Sequence, residues 1–220
     1  DYSVEYRTRD DKLGTDYLIV PSTHRSEADI KCFTVHVPGN WSTAEFGGEP
    51  RTLNWAYASF MKTVLLKIKE RCERLDGCRD RTISYEVDHH GPTLFNVPII
   101  FVEIGSTERE WNDFSAIRLI GDAIIDGIDE VENEQPYFGI GGGHYAPRFT
   151  SLMFKHGNAF GHILPKYRDS AFNEEMFKQA IEKNLEGPAR AVIDWKGLTS
   201  EYRSLAINLL NDLGVDWERR

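Results

Sequence analysis

Residues 97–104 of this 220-residue chain are apolar at every position except Glu103, and few folds can accommodate such a run. It is far short of the roughly 20 apolar residues that cross a bilayer. It also lacks the alternation of a strand with one wet face. It therefore reads as a strand buried on both sides of a parallel or mixed sheet. Other strand patterns recur at 17–20, 31–37, 82–87, 137–140, 160–164 and 191–193. Helical periodicities lie between them. Over 54–75 the residues Ala58, Met61, Leu65, Ile68, Cys72 and Leu75 fall three and four apart, with Asn54 as the expected N-cap. Further helices are expected at 113–131, near Thr150, at 173–185 and at 200–213. Strands and helices alternating in one core predict an α/β fold, a mixed and mostly parallel sheet with helices on both faces. A chain of this size buries roughly 70% of its unfolded surface, and no linker or repeat divides it. A single domain over 1–220 is expected.

Charge and cysteine usage narrow the function. There are 26 basic and 35 acidic side chains, a formal net charge of −9, which opposes indiscriminate binding to nucleic acid. A specific acceptor met by a small basic patch stays open. No stretch is long enough to span a membrane, so no membrane partner is expected. The three cysteines, Cys32, Cys72 and Cys78, form no CxxC pair, which argues against a disulfide scaffold and against a cysteine-built zinc site. A reducing, cytoplasmic setting fits.

Four strands run directly into polar loops, and those loops hold four of the seven histidines. In α/β sheets ligands gather beyond the carboxyl ends of strands. His24-Arg25-Ser26-Glu27 follows the first strand and offers a general base and an anion-binding arginine, or an ion-paired loop. His89 and His90 stand where the strand over 82–87 breaks. Neutral imidazole is a common zinc ligand, yet adjacent residues of an extended chain point apart, so both could face one ion only across the turn at Gly91-Pro92. The alternative is a soluble turn. Glu103 closes an otherwise apolar strand, where a buried carboxylate needs a cation or several donors. His144 follows Gly141-Gly142-Gly143, which can fold tightly around a ligand or simply turn. His36 and His162 read as core histidines. Arg148, Lys155, Lys166 and Arg168 form a modest basic cluster. A GxGxxG loop and a Gly-x-Ser-x-Gly elbow are absent, and Cys32 lies in a strand, so dinucleotide binding and a serine or cysteine nucleophile are disfavoured. From these residues alone the expectation is a hydrolase that activates water with zinc or with a His/Glu pair.

Seven short stretches, taken in order, carry a resemblance. They are His24-Arg25-Ser26-Glu27; Thr34-Val35-His36 with Pro38-Gly39-Asn40-Trp41; Ala44-Glu45-Phe46-Gly47-Gly48; and His89-His90-Gly91-Pro92-Thr93. Phe101-Val102-Glu103-Ile104-Gly105-Ser106, the segment from Gly141 to Thr150, and Gly161-His162-Ile163 with Lys166-Tyr167 complete them. Together they resemble the zinc-dependent archaeal and plant type of D-aminoacyl-tRNA deacylase, the family of the plant GEKO protein. The match covers about residues 17–168. The resemblance implies a fold akin to peptidyl-tRNA hydrolase and nucleoside phosphorylases. It implies bound zinc and hydrolysis of the ester that joins a D-amino acid to the 3′ end of tRNA.

Position at the strand ends, not the resemblance, sets His89, His90, His144 and Glu103 around the expected metal, with His24 and Glu103 catalytic. Arg25, Arg148, Lys155, Lys166 and Arg168 are expected to meet the acceptor end, in a monomer or small homo-oligomer. The family's strand–helix segment before the first motif is expected to be missing, and with it a sheet edge and part of the acceptor-binding surface. Two rival readings are a nucleoside phosphorylase- or nucleosidase-like enzyme without metal, and a non-catalytic RNA-binding module with structural histidines.

Overall fold

A computed structural model describes residues 14–26, 29–44, 46–75 and 77–220. Glu27 and Glu45, which belong to two of the motifs above, lie outside the described residues. The first half comprises β1 (Leu18–Arg25), β2 (Cys32–His36), β3 (Gly39–Asn40), β4 (Thr52–Leu53), α1 (Ala58–Arg74), β5 (Thr82–Tyr85) and β6 (Ile99–Ser106). After it come α2 (Glu108–Trp111), α3 (Phe114–Glu130), β7 (Pro136–Ile140), α4 (Pro147–His156), β8 (Ala159–Leu164), α5 (Glu174–Glu182), β9 (Arg190–Ile193), α6 (Ser200–Asp212) and β10 (Trp217–Arg219).

The expected α/β class holds, but the sheet is in two parts. One part has the order β1-β6-β2-β5 and the other β8-β7-β9-β10. The second is parallel throughout, and in the first only β2 and β6 are antiparallel. Residues 86–88 explain the division. Glu86 still donates its amide to Val35 of β2, whereas Val87 and Asp88 donate theirs to His144 and to Ile163 of β8. The chain thus leaves one sheet for the other within three residues. Asp88 fastens this seam, because its two carboxylate oxygens take the Ile163 amide (3.0 Å) and His162 Nδ1 (2.7 Å).

Alternation decides what each face of the first sheet does. Ile100, Val102 and Ile104 of β6, Phe33 and Val35 of β2, and Tyr85 of β5 point to one side, into a core shared with α1 and α3. The register puts Ser22 and His24 of β1, Glu103 of β6, Thr34 and His36 of β2 and Ser84 of β5 on the opposite side. α1 buries the predicted stripe from Ala58 to Cys72, with Phe60 and Val64 added, while Leu75 follows the last turn and is half-buried. A second core, around Phe138, Ile140, Phe177 and Leu210, lies between the second sheet and α5 and α6.

Local signals mark most of the helix starts. The Asp113 carboxylate accepts from the amides of Ser115 and Ala116 to cap α3, and Asn173 accepts from Met176 to cap α5. Asn54 does not cap α1, which begins after Tyr57. Its side chain instead ties three loops, donating to the carbonyls of Pro38 and Pro92 and accepting from the Phe95 amide. One local disulfide joins Cys72 to Cys78 across the end of α1, and Cys32 stays a buried free thiol.

Removing the seam carboxylate, as in Asp88→Ala, leaves His162 Nδ1 and the Ile163 amide buried without partners. A loss of about 2 kcal/mol or more in urea unfolding is expected. A loss below about 0.5 kcal/mol would show that the two sheets are fastened elsewhere.

Candidate functional site

The polar face of the first sheet and the loops that follow β5 and β7 together build the site. Glu86 continues that face one step beyond β5 and is 1% exposed. Its Oε1 lies 3.2 Å from His24 Nδ1, and its Oε2 lies 3.4 Å from His144 Nε2 and 3.6 Å from His89 Nε2. Glu103 Oε2 lies 3.4 Å from His24 Nδ1 and 3.7 Å from His36 Nε2. Around them the histidine rings crowd together. Centroids are 4.3 Å apart for His36 and His89, 4.5 Å for His89 and His90, and 4.8 Å for His89 and His144.

How His89 and His90 meet one centre is a backbone matter. His90 has φ +50°, in the left-handed region that side chains rarely adopt, and this breaks the strand alternation that would send the rings apart. Their Nδ1 atoms donate to carbonyls, of Val87 (2.8 Å) and of Gly91 (2.5 Å). That leaves both Nε2 lone pairs free, the arrangement by which outer-shell carbonyls orient metal-binding imidazoles. The turn is packed from behind, where a Cβ on Gly91 would fall 2.6 Å from the Gly47 and Gly48 backbone. His24 is held differently. Its Nε2 is 3.0 Å from the Tyr145 hydroxyl, and Gly105 is the residue that leaves it room, since a Cβ there would lie 3.0 Å from His24 Cδ2 and 2.4 Å from Cys32 Sγ.

Electrostatics sort these groups into two kinds. Burial opposes the charged form of His24, but the hydrogen bond to Glu103 and the charge of Glu86 outweigh it, so its pKa is raised. Burial and then Glu103 act in the same way on His36. Burial alone would raise Glu103, yet the adjacent His24 and His36 rings hold it well below the usual carboxylate range. His89 and His90 go the other way. Burial and the neighbouring His36 press His89 well down and His90 to about 4. Both rings are therefore neutral near pH 7 with lone pairs available. Burial and the two carboxylates push the Cys32 thiol up to about 12, which agrees with its exclusion as a nucleophile.

Several of these buried polar atoms have no hydrogen-bond partner in the protein. They include both oxygens of Glu86, both ring nitrogens of His36, Thr34 Oγ1 and Ser84 Oγ, where native structures leave few such atoms unpaired. Three overlapping donor sets lie within 4.8 Å, namely His36 with His89 and His90, His24 with Glu86 and His144, and His36 with Glu86 and Glu103. Nitrogen and carboxylate donors so placed suit a zinc ion.

The structure brings His24, His89, His90, His144 and Glu103 into one centre. It places His24 and Arg25 on β1, not in a loop. It adds Glu86, which the sequence reading did not single out, and His36, which was expected to be a core histidine but has neither ring nitrogen hydrogen-bonded and joins two of the donor sets. Alternation was the available signal, since Thr34-x-His36 and Ser84-x-Glu86 set polar residues on one face of otherwise apolar strands. His162 is a satisfied core histidine, as expected, with Nε2 donating to the Lys183 carbonyl. Beside the centre opens a cavity of about 190 Å³, lined in part by His89, His90, His144, Tyr167 and Arg168. Lys166 adjoins it on the same loop, and Arg148 stands in the first turn of α4. Lys155 sits in the last turn of that helix, away from the centre. Arg25 points to the other side of β1, over the Trp111 ring at 5.9 Å.

Fold and site together define an α/β protein with a histidine–carboxylate centre. Residues 12–218 match the family described as D-aminoacyl-tRNA deacylase. The chain is 36% identical over 217 residues to the D-aminoacyl-tRNA deacylase of Pyrococcus furiosus, covering 99% of this chain and 77% of that protein. It is 35% identical over 221 residues to that of Methanocaldococcus jannaschii, covering 96% of this chain and 85% of that protein. The crystal structure of a conserved protein of unknown function superposes with a TM-score of 0.87 at 33% identity, covering 94% of this chain and 72% of that one. The chain belongs to the D-aminoacyl-tRNA deacylase family.

In metal-free protein His90 is expected to take up its proton only near pH 4, while His24 keeps its own above the ordinary 6.5. Between about 6.5 and 4 the unfolded chain binds a proton that folded His90 refuses, so this ring destabilises the fold as pH falls through that window. Nitrogen-15 NMR of the imidazoles checks this, and a His90 midpoint near 6.5 would contradict its burial against His36.

Proposed function

We propose that this protein hydrolyses the ester linking a D-amino acid to the 3′ end of tRNA, giving free D-amino acid and tRNA, and that zinc is its cofactor. The family and its curated relatives support the reaction. The observation that carries the zinc reading is the buried Glu86 carboxylate, which faces His24, His89 and His144 with neither oxygen hydrogen-bonded. A buried carboxylate with no hydrogen bond is costly without a cation.

His36, His89 and His90 are assigned to hold the ion, with Glu86 and His144 on its flank. When bound, zinc acidifies a water and polarises the ester carbonyl. The remaining work falls to the protein. His24, made more basic by Glu86 and Glu103, takes a proton at Nε2, the nitrogen that faces the Tyr145 hydroxyl, and returns it to the leaving ribose oxygen. Glu103 fixes the rings of His24 and His36 and stabilises His24 when it is charged. The cavity beside His89, His90 and His144 admits the ester and limits water. Arg168, Lys166 and Arg148 meet the phosphates of the acceptor end, so binding in an otherwise acidic protein is local and weakens with salt. The reaction is placed in the cytoplasm, with the aminoacyl-tRNA pool.

Release of tyrosine from D-Tyr-tRNA, with L-Tyr-tRNA as the control, is expected before zinc removal and not after it, and from the D-ester alone. Glu86→Gln and His144→Ala are each expected to lower turnover at least 100-fold, with the circular dichroism of the fold unchanged. Wild-type rates in either variant, or full activity in zinc-free protein, would sink the assignment.

A further inference from the structure

Phe46 is the second most exposed large apolar side chain among the described residues, at 76%, and Tyr167 is 50% exposed. A lone exposed apolar residue carries little meaning. These two, however, line the same cavity as His89, His90 and His144, from loops about 120 residues apart. Phe46 is also not loosely placed. Its carbonyl accepts the Gly91 amide at 3.1 Å, in the turn that carries His90. Asn40 donates to the carbonyls of Gly47 (2.9 Å) and Glu49 (3.1 Å), and the Glu49 amide donates to Thr93 Oγ1 at 2.6 Å. Gly48 has φ +78°, and a Cβ on it would lie 2.8 Å from the Thr93 side chain. The loop is thus bonded at several points to the histidine turn, and the backbone that carries the aromatic ring keeps a set position relative to the centre. On the facing loop, the Arg168 guanidinium lies 5.7 Å from the Tyr167 ring centroid, so positive charge accompanies that aromatic face.

Aromatic rings beside an arginine, at the rim of a cavity whose floor is the reactive centre, are the features with which proteins hold unpaired nucleobases. We propose that Phe46 and Tyr167 form the stacking platform for the terminal nucleobase of the acceptor end, with Arg168 on the adjoining phosphate. The ester then reaches the histidines while the base stays at the rim. This rests on the deacylase reading and adds to it where the nucleoside lies. Stacking has no preference for the amino acid, so the platform serves every aminoacyl-tRNA alike and leaves choice of the amino acid to the cavity below.

The test compares wild type, Phe46→Ala, Tyr167→Ala and Phe46→Trp, all zinc-loaded. The first measurement is kcat/KM on D-Tyr-tRNA, and the second is binding of adenosine 5′-monophosphate and of ribose 5-phosphate by equilibrium dialysis. Each alanine variant is expected to lower kcat/KM and adenosine 5′-monophosphate affinity by about 5- to 100-fold. Ribose 5-phosphate should bind more weakly than adenosine 5′-monophosphate to wild type, and Phe46→Trp should restore both readouts. Unchanged kcat/KM in both alanine variants, or equal affinity of wild type for the two phosphates, would overturn the platform. A wild type that leaves D-Tyr-tRNA intact would instead overturn the deacylase reading, and the dialysis would still decide the platform.

Discussion

The Glu86 carboxylate sits at 1% exposure between two sheets, and the arrangement around it is what that charge requires. An unpaired buried carboxylate costs several kcal/mol at least. Imidazoles from three separate segments surround Glu86, His24 from β1, His89 from the turn after the seam and His144 from the glycine loop after β7. Together they leave room for the cation it needs only while each holds its place. The same requirement brings the two sheets together at residues 86–88, and it explains why the seam is fixed by a second buried carboxylate, Asp88, bonded on both oxygens. One carboxylate at the seam is fully satisfied and structural. The other has no hydrogen bond and faces the imidazoles of His24, His89 and His144.

A sheet face can be this polar only because its other face is strongly apolar. Phe33, Val35, Tyr85, Ile100, Val102 and Ile104 pack with α1 and α3, and burying each large side chain contributes roughly 1.5–3 kcal/mol. That apolar burial stabilises β2, β5 and β6 enough to carry Thr34, His36, Ser84 and Glu103 with few hydrogen bonds among them. Strain at the site follows the same logic. The left-handed backbone at His90 costs of order 1–3 kcal/mol. It persists because Gly91 is packed against the backbone of residues 47 and 48, and because the two rings must share one centre.

The fold class was legible in the sequence, since residues 97–104 admit little besides a doubly buried strand and the helical stripes are regular. The division into two sheets was not legible. It depends on where the amides of Val87 and Asp88 find their carbonyls, a tertiary choice with no local signal. The short elements β10 and α2 were missed for want of any periodicity in three or four residues. At the site, His24, His89, His90, His144 and Glu103 stood out because they interrupt apolar patterns or sit in loops. His36 and Glu86 were hidden inside strands, where a polar residue on one face is invisible until the register shows which neighbours share that face. Strand-end reasoning found the right loops for a different reason. The loops after β5 and β7 converge because the two sheets meet at the seam, where the Val87 amide donates to the His144 carbonyl.

The distribution of basic residues bears on how an acidic chain meets a polyanion. Of the five basic residues singled out, Arg168 lines the cavity and Lys166 and Arg148 stand on the segments beside it, while Lys155 and Arg25 are turned away. Three of the five therefore stand at or beside the cavity. A chain of net charge −9 gains little from phosphates at large, because attraction to them needs local positive charge. Contact with few phosphates suits it better than contact with many, and the proposed approach of an acceptor end to this cavity is contact of that kind.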